Sequence, residues 1–446
     1  MNENQPYLGG NSGIVLVYGK RVLMSISSAS GRGWVLAFLF FVNLLNYIDR
    51  YVLPGILPLL ENAFPDIDKE RLGDLALAFI WIYLLTSPIF GFLGDRIKRK
   101  ILIGIGVQLW SLATAAGGFA RNFHQLFFTR MFVGVGEAAY GTTAPAIISD
   151  LYPKSSRGRA LAFFYVAIPL GAALGYLLGG MIGIRWGWRS AFYVVGLPGL
   201  LAGLIAYWIQ EPIRGGTEGI DSKSLQEYQN RKISAHDYLR LLLIPSYVIN
   251  CLGMTAYTYA VGGISWWLPT YIHAERNIPL DRATLFCGII TAATGIIGTL
   301  AGGILADRLA KRWRGAYFWV CGTSMLLSTP FIYWALTTES TFILWSTIIV
   351  AELLLFLNTG PSNTALVNVT EPKLRTTAVA ANIFFIHAAG DGISPKIMGA
   401  IADRKNLTSA FKVTNAIMAL SGILWLLGTP FLGPDTERVI SKMAKN

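Results

Sequence analysis

The chain has 446 residues, of which 53% are hydrophobic and 14% charged, with a mean hydropathy of +0.50. Soluble domains carry about 25% charged residues, so a string of soluble domains and a disordered polymer are excluded, as is a disulfide scaffold, since the chain holds 3 cysteines. A formal net charge of +12 in so apolar a chain belongs to basic loops beside membrane spans rather than to a nucleic-acid surface.

Residues 1–32 read as a tail without a cleavable signal peptide. Ile14–Val17 is too short for an apolar core, and Lys20 and Arg21 follow it instead of preceding it. Twelve apolar stretches come next, each near the ~20 residues a spanning helix needs. They occupy 33–59, 75–93, 101–119, 124–149, 160–182, 190–209, 241–271, 284–305, 317–336, 341–368, 376–401 and 410–432. The segment 210–240 after the sixth span is long and polar and reads as a linker. The predicted organisation is a six-helix bundle over 33–209, the linker, a second six-helix bundle over 241–432 and a tail over 433–446. Cys251, Cys287 and Cys321 lie inside apolar stretches and read as packing residues.

Loop charge sets the orientation. The termini and the even-numbered connections hold 24 Lys and Arg, and the odd-numbered connections hold 9. That bias puts both termini in the cytoplasm, which an even number of spans also requires. The halves repeat each other. GFLGDRIKRK (91–100) after span two returns as GILADRLAKR (303–312) after span eight. YPKSSRGRALAFF (152–164) after span four is echoed by EPKLRTTAVAANIFF (371–385) after span ten. Parallel repeats around a midplane site are a transporter architecture. The fold class expected is therefore an all-α polytopic membrane protein of twelve helices in two pseudo-symmetric bundles.

Ionisable residues inside the spans are functional candidates, because each costs about 2.5–3.5 kcal/mol near the bilayer centre on insertion scales. Span one carries Asp49 and Arg50, and span four carries Arg130 and Glu137. Arg130 and Glu137 are two turns apart on one face, which predicts that this face lines a central cavity. Asn43, Asn46 and Arg50 form a polar stripe on span one. A carboxylate that trades an Arg partner for a proton can couple proton flow to a change of shape. Asp49 and Glu137 are the proton-coupling candidates, and Arg50 and Arg130 are candidates for pairing with them or with an anionic substrate. The alternative is a fixed ion-pair network tying span one to span four. In the second half, His387 and Asp391 sit four apart on one face of span eleven, where His387 is a further proton carrier. Asp391 is also in reach of Lys396. Glu352 in span ten and Tyr257 in span seven, with Tyr259, Trp266 and Trp267, are candidates for the substrate cavity; aromatic packing is the alternative. Gly171, Gly175 and Gly179 in span five, and Gly298 and Gly302 in span eight, predict close helix packing.

These motifs resemble a known family. Gly91, Leu93, Asp95, Arg96, Arg99 and Lys100 are similar to the loop signature of the major facilitator superfamily, with Lys98 where many members have Gly. NYIDR (46–50), TRMFVGVGEAAYGTTAPAIISDLYP (129–153), FFYVAIPLGAALGY (163–176) and EPIRGG (211–216) resemble the spinster family within it. The resemblance implies the major facilitator fold and alternating access. It implies proton-dependent carriage of lysophospholipids or sphingosine-1-phosphate-like lipids. It also implies a conformational latch built on the signature residues Gly91, Asp95, Arg96 and Arg99: the acid Asp95, at the cytoplasmic end of span two beside Arg96, engages a neighbouring helix end and Arg157 or Arg159 of loop 4–5 and holds the cytoplasmic side shut, with Asp307 and Arg308 as the pseudo-symmetric copy.

The expected function is thus a proton-coupled secondary transporter of an amphipathic lysolipid-type substrate. The alternatives are a carrier of a small organic anion, since NYIDR also occurs in organic-anion symporters of the superfamily, and an exporter of drug-like amphiphiles. No metal-ligand cluster, nucleophile elbow or phosphate loop is evident, so no enzyme activity, metal or cofactor is expected. The expected partners are substrate, protons and the lipid bilayer, the expected state is a monomer, and the expected location is a bacterial inner membrane.

Overall fold

The computed structural model describes residues 29–152, 160–161, 163–212, 241–370 and 375–444. Twelve helical rods cross the molecule. They are α1 (Ala29–Ala63), α2 (Lys69–Arg96), α3 (Arg99–Gly117), α4 (Phe123–Leu151), α5 (Ala167–Trp186) and α6 (Trp188–Ala206), then α7 (Pro245–Ala274), α8 (Leu280–Ala310) and α9 (Ala316–Thr337). The tenth rod, α10, is two pieces, Thr341–Phe356 and Thr359–Asn368. The eleventh, α11, comprises Arg375–Ile386, a π turn at His387–Asp391 and Ser394–Arg404, and α12 runs Leu407–Ala444. The helix α12 thus continues through most of the segment expected to be a tail. Eight rods qualify as membrane spans by length and apolarity alone. The others, α4, α7, α9 and α11, carry charged groups or Tyr, Trp, Ser and Thr along their length.

Helix starts follow local chemistry. Asp68 accepts from the Arg71 amide and Asn122 from the Gln125 amide, so α2 and α4 each begin on a side chain that satisfies an orphan donor. The outer surface is apolar: Leu85, Phe92, Leu201, Leu300, Phe342 and Leu427 are all exposed. Leucines and phenylalanines spread around the outside, with polar groups inside, are the arrangement a lipid solvent favours.

The two halves pair their helices in the same way. In the first, α1 packs on α5, α2 on α4, α3 on α4 and α3 on α6; in the second, α7 packs on α11, α8 on α10, α9 on α10 and α9 on α12. The glycines of α5 make the first pairing possible. A Cβ on Gly175 would sit 2.7 Å from the Tyr51 Cβ of α1, and one on Gly179 would sit 2.6 Å from the Val52 carbonyl. In the second half, Gly298 of α8 lies against the Leu353 carbonyl of α10 at 2.7 Å by the same measure. Small residues at four-residue spacing are therefore packing elements, as expected.

The halves join through two symmetry-related seams, α2 with α11 and α5 with α8. We refer to the side bearing Ala29 and Ala444 as the tail face and the opposite side as the far face. The α2–α11 seam involves the far segment Ser394–Arg404, whereas Arg375–Ile386 makes no comparable contact with α2. The far mouth is therefore closed.

Candidate transport site

The charges of α1 and α4 meet in a crossed pattern. Arg130 Nη1 donates to Asp49 Oδ1 at 3.1 Å, and both side chains are almost fully buried. The Thr114 hydroxyl of α3 donates to the other Asp49 oxygen. Arg50 Nε donates to Glu137 Oε2 at 2.6 Å, with the Glu137 side chain 0% and the Arg50 side chain 21% exposed. Adjacent residues on α1 thus reach partners two turns apart on α4. A charge buried without a partner would cost several kcal/mol, and each of these four has one.

The guanidinium of Arg50 is also held by aromatic faces. It lies 4.8 Å from the Phe79 ring centroid, 5.1 Å from that of Tyr47 and 5.3 Å from that of Tyr83. Phe79 additionally stands 5.7 Å from the Arg130 guanidinium. Cation–π contacts with desolvated faces are worth up to about 2 kcal/mol each. This cage was not evident from the sequence, because Phe79 and Tyr83 come from α2, a second helix whose rotation no motif reports.

Between the halves lies a cavity of about 220 Å³. Arg50 and Arg130 form one wall, with Phe79 beside them; Trp266, His387 and Asp391 form the wall opposite. His387 Nδ1 is 2.9 Å from Asp391 Oδ1, which bears out their expected shared face. The backbone there is broken: Gly390 adopts φ −102°, ψ −109°, and the Gly392 amide donates five residues back to the His387 carbonyl. Gly262 of α7 has no side chain, which lets Asp391 approach closely. Breaks of this kind in spanning helices are tolerated where they line a cavity.

Other expected site residues are placed differently. Glu137 does not itself line the cavity; it lies behind Arg50. Asn43 donates to the Phe164 carbonyl just ahead of α5 at 3.1 Å, a tie between helices rather than a cavity contact. Asn46 is buried with its Nδ2 unpartnered. Tyr257 packs near Trp425 with ring centroids 6.4 Å apart, away from the cavity lining, and Trp266 takes the lining position on α7. Trp267 donates to the Pro395 carbonyl at 2.8 Å, and Tyr259 is buried. Glu352 lies in a separate small pocket with Thr291 and Thr294 of α8. Lys396 is not paired with Asp391. It reaches across to α2, 2.9 Å from Asp74 and 3.7 Å from Glu70. The i, i+4 preference of Asp391 for His387 and the break between Asp391 and Lys396 separate that expected pair.

Lys396 belongs to a far-face gate that no motif announced. Asp403 of α11 accepts from the Lys69 amide at 3.0 Å and the Glu70 amide at 2.8 Å, so an acid of one half caps the first turn of a helix of the other. Beside it, Gly73 of α2 and Gly399 of α11 lie directly against the opposing backbone. Tyr176 of α5 donates to the Ser265 carbonyl of α7 deeper in the same closure.

At the tail face, the expected latch residues make contacts inside their own halves. Arg99 Nη1 is 2.5 Å from Asp150, and its amide donates to Glu211 at 3.0 Å. Arg96 lies over the Phe92 ring. Asp307 accepts from the Tyr317 hydroxyl at 3.0 Å, and Arg308 is exposed. A Cβ on Gly91 would meet nothing within 4 Å. Arg157 and Arg159 lie outside the described residues, as does the side chain of Asp95.

The sequence profile of the Major Facilitator Superfamily matches residues 39–395. Protein spinster of Drosophila melanogaster is 34% identical over 389 residues, covering 85% of this chain and 63% of that protein. Protein spinster homolog 1 of Xenopus laevis is 36% identical over 388 residues, covering 83% of this chain and 73% of the relative. The human protein spinster homolog 1 is 34% identical over 424 residues, covering 90% and 80%. The chain therefore spans less than two thirds of the fly protein and more of the vertebrate ones. A crystal structure of a bacterial homolog to the human lysosomal transporter spinster, in an inward-facing and unoccupied conformation, superposes with a TM-score of 0.77 at 22% identity over 93% of this chain and 98% of that one. A D-xylose-proton symporter superposes with a TM-score of 0.68 at 16% identity, over 88% and 96%. These two likenesses concern the fold.

Proposed function

The chain belongs to the spinster family of the Major Facilitator Superfamily, and we propose that it is a proton-coupled carrier of an amphipathic, lysolipid-type substrate. As a member of that family it is a multi-pass membrane transporter and not an enzyme. The observation that carries the finer reading is the crossed pair of ion pairs, Asp49–Arg130 and Arg50–Glu137, in one wall of a cavity between two halves. Arg50 presents its exposed edge to the cavity while its inner edge holds Glu137. An anionic head group entering the cavity competes with Glu137 for that guanidinium. Once displaced in a dry site, the carboxylate takes up a proton, because an uncompensated charge there is costly. Substrate binding and proton binding are then linked through one arginine. Asp49 and Arg130 repeat the device deeper, and His387 with Asp391 offers a second acid–base pair on the facing wall.

Loop charge favours the tail face in the cytoplasm. The closed far mouth then faces away from the cytoplasm, so the conformation corresponds to the cytoplasm-facing stage of the cycle. In this reading Gly91, Asp95, Arg96, Arg99, Asp307 and Arg308 engage as a latch in the opposite stage. One observation favours a second reading: the cavity of about 220 Å³ is below the roughly 300–1,000 Å³ of sites for larger ligands, which suits a small organic anion.

Flux into proteoliposomes decides between them, with a panel of lysolipids and organic anions, with and without a pH gradient. Gradient-driven lysolipid flux that is lost in Glu137→Gln and Asp49→Asn, at normal expression, is expected. Flux indifferent to pH, or intact in both variants, overturns the coupling assignment. Transport of organic anions alone selects the second reading.

A further inference from the structure

Glu352 on α10 is buried, 7% exposed, and stands apart from the charges already described. Its Oε2 lies 3.1 Å from the Thr294 hydroxyl and its Oε1 lies 3.3 Å from the Thr291 hydroxyl, both on α8. The space beside it is a pocket of about 40 Å³ lined mainly by apolar side chains, among them Ile264, Leu268, Ile348, Leu355 and Phe411. Among the described residues, no Arg, Lys or His pairs with it.

The hydrogen-bond arithmetic of the two threonines is informative. A hydroxyl carries one proton. Thr294 gives its proton to the Ile290 carbonyl one turn back, at 2.7 Å. The same hydroxyl is also placed to donate to Glu352 Oε2, so two acceptors share one proton; with that proton on the carbonyl, the hydroxyl turns lone pairs towards Glu352. A carboxylate would place a second set of lone pairs 3.1 Å away, which repels; a carboxylic acid donates its proton there and completes the bond. The other oxygen then accepts from Thr291. With Glu352 protonated, the Ile290 carbonyl and Glu352 both keep a partner at Thr294; with Glu352 ionised, the single Thr294 proton serves only one of the two acceptors.

The surroundings agree. On α8, the titratable neighbour is Cys287; from the amino-terminal half, Tyr176 of α5 and Tyr51 of α1 come within electrostatic range, and Tyr271 of α7 lines the pocket. All are neutral thiol or phenol groups. From α9 and α12, the pocket receives Ile332, Ala335, Leu336 and Phe411. Nothing there compensates a negative charge, unlike Asp49 and Glu137, each of which faces an arginine.

We propose that Glu352 is a second proton-binding site, in the carboxy-terminal half, and that it holds its proton in the far-closed conformation. Proton binding at the site follows from the local geometry alone. Its part in coupling rests on the transporter reading above: it adds a proton to those exchanged at Asp49 and Glu137, released when movement of α8 against α10 admits water.

Infrared difference spectroscopy of the purified full-length protein, titrated in pH, tests the first part. A protonated carboxylic acid has a carbonyl stretch that a carboxylate lacks. The band is expected in the wild type at neutral pH, retained in Asp49→Asn and Glu137→Gln, and lost in Glu352→Gln. Glutamine keeps both threonine contacts, donating to Thr294 and accepting from Thr291, so that variant folds. Thr294→Val removes the acceptor and is expected to shift the band. A band unchanged in Glu352→Gln overturns the site. The second part is read from protons moved per substrate in proteoliposomes: the ratio falls in Glu352→Gln, and an unchanged ratio overturns the coupling role. Wild-type flux with no pH dependence at all overturns the proton-coupled function instead, and leaves the infrared result standing.

Discussion

A methyl group added at Gly73 is expected to open the far mouth. The Cβ of an alanine there would fall 2.5–2.6 Å from backbone atoms of Pro395 and Lys396, where ordinary contact begins at 3.4 Å. Backbone cannot rotate aside as a side chain can, so α2 and α11 have to part by about 1 Å. A gap of that size forfeits a quarter to a half of the dispersion attraction along the contact. Overpacking of this kind costs about 1–3 kcal/mol, and it is felt only when the far mouth is shut. The gain of alanine over glycine in helix propensity, up to ~1 kcal/mol, is present in both states and cancels. The balance between far-closed and far-open forms should therefore move by roughly 5- to 150-fold towards open, since ~1.4 kcal/mol is a factor of ten. Spin labels at Asp66 and Lys405, exposed on opposite halves at that mouth, report the distance between them. The three native cysteines are buried, so labels on introduced cysteines are selective. Gly73→Ala should add a long-distance population, Gly399→Ala should do the same, and Gly33→Ala, with nothing within 4 Å of its Cβ, should add none. Unchanged distance distributions in both Gly73→Ala and Gly399→Ala would refute the backbone-contact gate.

Other outcomes follow from the same contacts. Asp403→Ala and Lys396→Ala should also favour the far-open form, but less, because a lost cap costs ~0.5–2 kcal/mol and an exposed ion pair ~1 or below; the same spin-label distances check this. Arg130→Ala leaves Asp49 buried without its arginine and should cost about 3–5 kcal/mol, read as a fall in thermal stability in detergent, with Asp49→Asn in the same chain restoring much of it. Asn43→Ala should lower stability by ~1–3 kcal/mol by orphaning the Phe164 carbonyl while leaving substrate selectivity in the flux assay unchanged. A membrane-impermeant maleimide should leave Cys251, Cys287 and Cys321 unlabelled in the folded protein and label all three after denaturation.

Much of the architecture was legible because it is written in local composition. Span length, the repeat at 91–100 and 303–312 and the one-sided loop charge each depend on neighbouring residues alone. The four charges of α1 and α4 were legible for the same reason, since apolar segments make them conspicuous. Which acid meets which base was not. Asp49 and Arg50 point about 100° apart around α1, and the crossing of α4 decides that each takes a different partner. The tie of Asn43 to Phe164 and the packing of Tyr257 near Trp425 were not legible, because helical periodicity says that residues share a face and not what the face meets. The far gate was hidden for another reason. Lys396, Asp403 and Gly73 gain meaning only from contact between the halves, which leaves no trace in the spacing of either helix.

The break in α11 has a mechanical consequence. The π turn at His387–Asp391 interrupts the regular ladder of hydrogen bonds, and the gate residues Lys396, Gly399 and Asp403 all lie beyond it. A continuous helix is a stiff lever that carries a twist from one end to the other. This one is two short levers hinged beside the cavity, so torque applied near the tail face dissipates at Gly390 instead of prying the gate. Both levers do bear on α7, the helix that supplies Trp266 to the cavity. Force passing along α11 is therefore handed sideways to α7, a helix of the cavity wall, instead of running through the break.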